Sequence, residues 1–328
     1  MDCNNGGKGP KSLSGKALTV LIPTFNRPDA LLECLSHLEK QTFKDFEVVV
    51  IDDGSADSTP KLMERYLTET PLAVRYVYQD NGGPAKARNR GISLSQTPIC
   101  LMLGDDIFAS PNLVEAHMRL HQKYTSLEVA ALGLTKWSTS GQVITPFMRW
   151  IEGSSIQFDY KTLLAGGQAD WKHFYTSNLS VKTELLRRFP FKENFPYAAM
   201  EDCELGYRIE KQFGLKLKFI PDALADHLHP TTFRQACNRM IRIGYSCRLF
   251  HELWPEHRLR SNPLKRAVKL AFIRNPMLLR LLMRAADVCN RAICPNRIML
   301  FALACHFEIG QQSHRDGDGK LIWRHISI

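Results

Sequence analysis

A mostly parallel α/β sheet is the fold class the sequence predicts, on three observations. Short unbroken apolar runs recur along the first hundred residues, each is followed by a stretch with helical apolar spacing, and the loop after each run carries Asp, Asn or Gly. Unbroken apolar strands alternating with helices mean strands buried on both faces, the signature of a parallel sheet covered by helices.

The elements follow in order. Ala17 to Ile22 (ALTVLI) is a buried strand closed by Pro23, and Asp29 to Lys40 is a helix with Leu31, Leu32, Leu35 and Leu38 on one face. Phe46 to Ile51 (FEVVVI) is the second strand, followed by a helix over Ser58 to Thr68 and a third strand over Ala73 to Tyr78. Asn81-Gly82-Gly83-Pro84 leads into a helix over Ala85 to Ser95, and Ile99 to Leu103 is the fourth strand. Beyond residue 130 the rhythm changes. Leu132 to Trp137, Gln142 to Thr145 and the 171–181 stretch read as shorter, mixed strands of a smaller sheet. A helix over Glu201 to Phe213, a strand over Leu215 to Ile220 and a helix over Thr232 to Leu253 complete the pattern. The expected organisation is a disordered leader over 1–16, one unit over 17–254 with halves 17–130 and 131–254, and a basic helical tail over 255–328.

The 328 residues are 44% hydrophobic and 23% charged, which excludes a disordered, collagenous or small disulfide-stapled chain. The best apolar run, Ile298 to Cys305, is far short of the roughly 20 residues of a membrane span. The first residues, MDCNNGGKGPKSLSGK, lack the apolar core of a secretory signal, so the expected address is the cytoplasm, peripheral contact with the inner face of the membrane included. Nine scattered cysteines without CxxC spacing read as reduced thiols. Between Arg258 and Arg297 lie ten Lys or Arg and one acid, Asp287, so this segment holds nearly the whole of the chain's +10.

In open parallel sheets ligands bind beyond the carboxyl ends of the strands. Four successive strand ends carry Thr24-Phe25-Asn26-Arg27, Asp52-Asp53-Gly54-Ser55, Asn81-Gly82-Gly83 and Gly104-Asp105-Asp106. The first strand is followed by IPTFNRP, which is neither GxGxxG nor a Walker loop. Two adjacent carboxylates repel unless cations or donors offset them, and Asp105-Asp106 therefore reads as a divalent-cation site, Mn²⁺ or Mg²⁺.

The segments VLIPTFNRPDALLECLSHLEKQTFKDFEVVVIDDGS, NGGPAKARNRGI, LMLGDDI and MEDCELGYRI, in this order and spacing, resemble family 2 of the nucleotide-sugar glycosyltransferases with the GT-A fold. The resemblance runs from about Leu18 to Tyr245 and implies inverting sugar transfer. By it, Pro23, Thr24, Asn26 and Arg27 wrap the nucleotide of a nucleoside diphosphate-sugar, UDP favoured, and Asp53 is the nucleoside ligand. A turn aspartate before Gly54 is the plainer reading of Asp53. Gly82 permits close approach of the backbone, and Lys86 and Arg88 lend charge, although a solvated face equally explains Lys86. Asp106 and Asp105 hold the metal, with one acid fewer than the family's usual Asp-x-Asp, and His227 or His229 completes the shell. Asp202 is the base that deprotonates the acceptor, Glu201 shapes the acceptor pocket, and Trp171 is either a sugar platform or core. The acceptor is expected to be a saccharide or lipid-linked saccharide.

Apolar residues at helical spacing from Leu264 to Cys289, with Arg and Lys in the gaps, fit an anionic membrane surface for 258–297, or a helix packed on the catalytic unit. A catalytically idle nucleotide-sugar or polyanion binder is the alternative function. No nucleic-acid motif is present, and nucleic acid is not an expected partner.

Overall fold

The computed structural model describes residues 15–257, 262–291, 297–316, 321–323 and 326–327. The expected leader lies outside the described residues except for its last two, and so do parts of the basic tail. The chain alternates β1 (Leu18–Thr24), α1 (Pro28–Glu39), β2 (Phe46–Asp52), α2 (Thr59–Glu69), β3 (Val74–Tyr78), α3 (Pro84–Leu94) and β4 (Ile99–Leu103). It continues through β5 (Ile107–Ala109), α4 (Leu113–Lys123), β6 (Val129–Trp137), α5 (Pro146–Gly153), α6 (Tyr160–Leu164), β7 (Asn178–Lys182), α7 (Thr183–Arg188), α8 (Glu201–Phe213) and β8 (Lys216–His227). Then follow α9 (Phe233–Leu253), α10 (Pro263–Arg274), α11 (Pro276–Arg291), α12 (Arg297–Gln312) and a small antiparallel sheet of β9 (His314–Arg315), β10 (Leu321–Trp323) and β11 (Ile326–Ser327).

Eight strands form one sheet in the order β3-β2-β1-β4-β7-β6-β8-β5. The first four are parallel, as the apolar runs predict; β7 is antiparallel to β4 and β6, β6 and β8 run parallel, and β5 pairs antiparallel with β8. The mixed strands of the second half thus extend the parallel half as one continuous sheet. Every residue of β2 and β4 is buried, because helices cover both faces.

Three elements differ from the sequence reading. Gln142 to Thr145 is not a strand: Gly141 turns the chain at φ +76° and the Thr145 hydroxyl accepts from Met148 N at 3.2 Å, capping α5. The 171–181 stretch opens as a 3₁₀ turn capped by Asp170, and only its end is strand. The strand that reads as ending at Ile220 continues to His227. Pro221 interrupts the apolar run, but the register slips there, with Gly133 opposite Ile220 and Leu134 opposite Leu224. The Asn178 amide donates to Ala223 O at 2.9 Å and its oxygen faces His117 Nε2 at 2.9 Å, which holds the bulge in place.

The C-terminal helices share an apolar core with β6, α5 and α9 that includes Trp137, Phe147, Phe233, Ile241, Ile273, Leu282 and Leu303. At the α9–α12 crossing the backbones touch through glycines. A Cβ on Gly310 would lie 1.9 Å from Ile241 O, and one on Gly244 would lie 2.1 Å from Phe307 O. Gly310→Ala therefore gains about 1 kcal/mol of helix propensity but meets a backbone clash costing about 1–3 kcal/mol or more. We expect a melting temperature lower by several degrees, at about 2–4 °C per kcal/mol. Gly153→Ala, where nothing lies within 4 Å of the new Cβ, should leave it unchanged or raise it.

Candidate active site

The strand ends of the parallel half converge as the sequence predicts. Asn26 takes a left-handed conformation at φ +52°; its N–H donates to Ser55 Oγ at 2.8 Å and its Oδ1 accepts from Ala56 N at 2.9 Å, tying the β1 and β2 loops together. Asp53 is buried and works on the next loop. Its Oδ1 accepts from Gln79 Nε2 at 2.7 Å and Gly82 N at 2.9 Å, and its Oδ2 accepts from Gly83 N at 2.7 Å. The carboxylate has about four acceptor positions, so room is left for one outside donor. Lys86 lies folded over Gly82, with its Cδ only 2.1 Å from where a Cβ would sit. Pro23 is half-buried within β1.

The acidic pair divides its labour. Thr24 Oγ1 donates to Asp105 Oδ2 at 2.8 Å, while Arg27 Nη1 bridges Asp105 Oδ1 at 3.1 Å and Asp106 Oδ2 at 2.7 Å. Burial and the Asp106 charge push the Asp105 carboxyl up to about 6, against Arg27 and Thr24. Burial also works to raise Asp106, but His227, His229 and Arg27 overcome it and hold Asp106 well below the usual carboxylate range. His227 Nε2 lies 3.5 Å and His229 Nδ1 3.4 Å from Asp106 Oδ2. The sheet creates this meeting: β8 sets His227 opposite Ile107 on β5, and Leu228 N donates to Asp106 O at 2.9 Å. The His227 ring is stacked on Trp137 at 5.3 Å and on His229 at 5.2 Å.

One ligand atom from each of Asp106, His227 and His229 falls within 4.8 Å of the others, a grouping that could hold a metal ion. Both histidines belong to it, where the sequence left one of them to be chosen. Asp105 does not; its oxygens are directed to Thr24 and Arg27.

On the opposite wall, α8 begins at Met200, left-handed at φ +69°. Glu201 is buried and accepts from Arg88 Nη1 at 2.7 Å, so Arg88, expected at the nucleotide, is spent on Glu201. Glu201 is correspondingly not open to an acceptor. Asp202 is half-buried, and its Oδ1 accepts from Cys203 N at 2.8 Å. Trp171 is engaged in an aromatic cluster, stacked on Phe250 at 5.5 Å and edge-on to Tyr207 and His257 at 5.2 Å.

Sequence reasoning missed Arg239 on α9. It is exposed, yet enough protein surrounds it for burial to lower its pKa, against the charges of Glu201, Asp202 and Asp106. The signal was present: Arg234, Arg239 and Arg242 follow closely on the His-Leu-His segment. Beside His227 lies a cavity of about 470 Å³ walled by Leu134, Trp137, Phe158, Tyr160 and Leu164, with Arg149 and Glu152 also in its lining.

Glu201 gives a pH prediction. Burial and the Asp202 charge raise its pKa to about 6 from an ordinary 4.5, against Arg88. A carboxyl raised in the fold favours the folded state while protonated, and that contribution is lost as pH rises through about 6. The stability of the wild type relative to Glu201→Gln should therefore fall by about 2 kcal/mol between pH 4 and pH 7, read from denaturant melts. A pH-independent difference would mean that the Glu201 pKa is not raised.

Residues 19–181 match the family model described as Glycosyl transferase family 2. Validoxylamine A glucosyltransferase of Streptomyces hygroscopicus subsp. jinggangensis is 31% identical over 227 residues, 58% of this chain and 51% of the relative. Chondroitin synthase of Escherichia coli is 25% identical over 295 residues, 78% of this chain and 42% of that protein. The chain spans about half the length of the curated validoxylamine relatives it matches. Among solved structures, the mannosyltransferase PcManGT from Pyrobaculum calidifontis, in complex with GDP-Man and Mn²⁺, aligns with a TM-score of 0.58 at 17% identity, over 89% of this chain and 86% of that one. S. aureus TarS 1–349 in complex with UDP aligns at 0.51 and 18% identity, over 94% and 97%. These two likenesses are of fold. The first three sequence segments, the convergent strand ends and the family match agree, and residues 19–181 are a glycosyl transferase family 2 domain.

Proposed function

We propose that this chain transfers a sugar, hexosyl or N-acetylhexosaminyl, from a nucleoside diphosphate-sugar, UDP favoured, to an acceptor hydroxyl with inversion at C1. The observation that carries the reading is the grouping of Asp106, His227 and His229, with Arg239 close enough to feel the charges both of Asp106 and of the acids that open α8. The catalytic unit is taken as 17–254, with 255–328 appended to it.

The donor set fits a divalent ion. One carboxylate and two imidazoles suit Mn²⁺ better than Mg²⁺, which prefers oxygen alone. Arg27, already seated against both carboxylates, is a cation where the site's chemistry asks for one. Asp106, His227 and His229 would hold the metal, which when bound supplies charge stabilisation to a leaving diphosphate.

The rest falls to the chain's own groups. Asp202 accepts the acceptor's hydroxyl proton as that oxygen bonds to C1, and the C1–O(phosphate) bond breaks with its electron pair leaving on the diphosphate. Attack from the face opposite the leaving group converts an α-linked donor into a β-linked product. Arg27 and Arg239 offer guanidinium groups to the phosphate oxygens, Asp53 takes one donor from the nucleoside, and Gly82 lets the backbone approach. The acceptor, a saccharide or lipid-linked saccharide, is received on the β6 side, where the cavity beside His227 opens.

Thermal melts with UDP, GDP, dTDP and CDP, each with Mn²⁺, Mg²⁺ or chelator, test the donor. At about 100 times Kd the matching nucleotide should add about 2.7 kcal/mol. That gain should need metal and should vanish in His229→Ala; no gain with any nucleotide would overturn the reading. Asp202→Asn should cut donor turnover by about 10²–10⁴ while keeping the nucleotide-induced stabilisation. Unchanged turnover would remove Asp202 from the mechanism.

A further inference from the structure

The basic C-terminal helices present a surface that the proposed reaction does not use. Helices α10 and α11 each pack one face toward α12 and the shared core. On α10 that face contains Ile273, and on α11 it contains Leu282 and Ala286. Arg266 Nε and Lys269 Nζ reach the buried Glu308 of α12 at 3.1 and 2.9 Å, and Asp287 of α11 accepts from Arg234 of α9 at 2.5 Å. These ion pairs fix which face of each helix is turned inward.

The outward faces are apolar where a solvated helix would be polar. Leu264 and Val268 stand one turn apart on α10; Met277, Leu281 and Val288 recur at helical spacing on α11. All five are between 43% and 74% exposed. Lys265, Arg280 and Arg284 are exposed among them, and Asp287, already paired, is the single acid of the two helices. No helix among the described residues is long and apolar enough to cross a membrane.

We propose that the outward faces of α10 and α11 dock the protein on a membrane surface rich in anionic phospholipid, with Leu264, Val268, Met277, Leu281 and Val288 entering the interface and Lys265, Arg280 and Arg284 meeting the headgroups. The charge complementarity selects this occupant. A protein groove would be served by the apolar stripe alone and a polyanion by the cations alone, whereas interleaving the two on helices that lie flat suits a lipid interface. The inference stands apart from the active-site reading, since none of these residues belongs to the proposed catalytic machinery.

The test is co-sedimentation of the full chain with vesicles of phosphatidylcholine alone and of phosphatidylcholine with phosphatidylglycerol. Binding is expected only to the anionic vesicles. Arg280→Glu with Arg284→Glu should weaken it by about tenfold or more. Val268→Asp with Leu281→Asp should weaken it by a similar factor through lost apolar insertion. All four positions are exposed, so both double variants should melt with the wild type, which separates lost docking from lost folding. Failure to sediment with anionic vesicles overturns the proposal. So does binding that survives Val268→Asp with Leu281→Asp, the behaviour of a polyanion site that RNA would then compete for. A dimer in light scattering that Leu281→Asp dissociates would instead make this face a contact between copies, and would overturn it too. Donor-dependent melting is read in parallel on the same variants, so failure of the membrane proposal and failure of the transfer reading are told apart.

Discussion

Two neighbouring carboxylates at the end of a buried strand are the constraint around which the rest of the site is arranged. Asp105 and Asp106 cannot both be charged and buried without cations close by. Arg27 comes from the β1 loop, and the two histidines come from the end of β8, brought alongside by its pairing with β5. Three segments far apart in sequence are thereby drawn to one point. The division between the acids follows from which neighbours each has. Burial and the charge of Asp106 push Asp105 up, with only a hydroxyl and a shared guanidinium to oppose them, whereas two imidazoles and the same guanidinium hold Asp106 down against its burial. The two acids read alike in the sequence, and only the latter lies where a metal could be gripped.

The parallel half was legible because a strand buried on both faces leaves an unbroken apolar run, and β1, β2 and β4 have little else in them. Legibility failed where one residue carried two messages. Pro221 reads as a strand end, and locally the pairing does break, but the strand resumes beyond it because Asn178 fills the bulge. Short helices such as α6 and α7 hold too few turns for a period to show. For the site, residue types at strand ends gave the acids and both histidines. What could not be read was each side chain's partner. Arg88 looked like a ligand for phosphate because it follows a glycine loop; it is committed to Glu201, more than a hundred residues away. Arg239 was overlooked because an arginine on a helix is usually solvated, and its place among three carboxylates depends on how α9 is packed.

The glycine contact between α9 and α12 links the tail to the site. Arg239 lies on the stretch of α9 that reaches the carboxylates, and Gly244 lies little more than one turn further on, where α12 crosses. Close backbone approach fixes the relative height of two helices more tightly than side-chain packing does, because neither side has a rotamer with which to adjust. The position of Arg239 is thus constrained from the C-terminal core as well as from its own strand connection. The surface on α10 and α11 is anchored to the same frame, α10 through Glu308 of α12 and α11 through the Asp287 pair with Arg234 of α9.

The Arg88–Glu201 pair is best understood by what it costs. Both groups are buried, and Arg88 Nε and Glu201 Oε2 have no hydrogen-bond partner among the described residues. A buried ion pair with unsatisfied atoms is a poor source of stability, since an apolar replacement of similar volume is often neutral or better. Its geometric effect is different. It pins the first residue of α8 to α3, next to a left-handed Met200 whose backbone an ordinary side chain resists. The charge of the following carboxylate, Asp202, already adds to burial in raising the pKa of Glu201. The helix itself turns Asp202 about 100° away from Glu201, and it stays half-buried beside the site, where the proposed proton acceptor has to be.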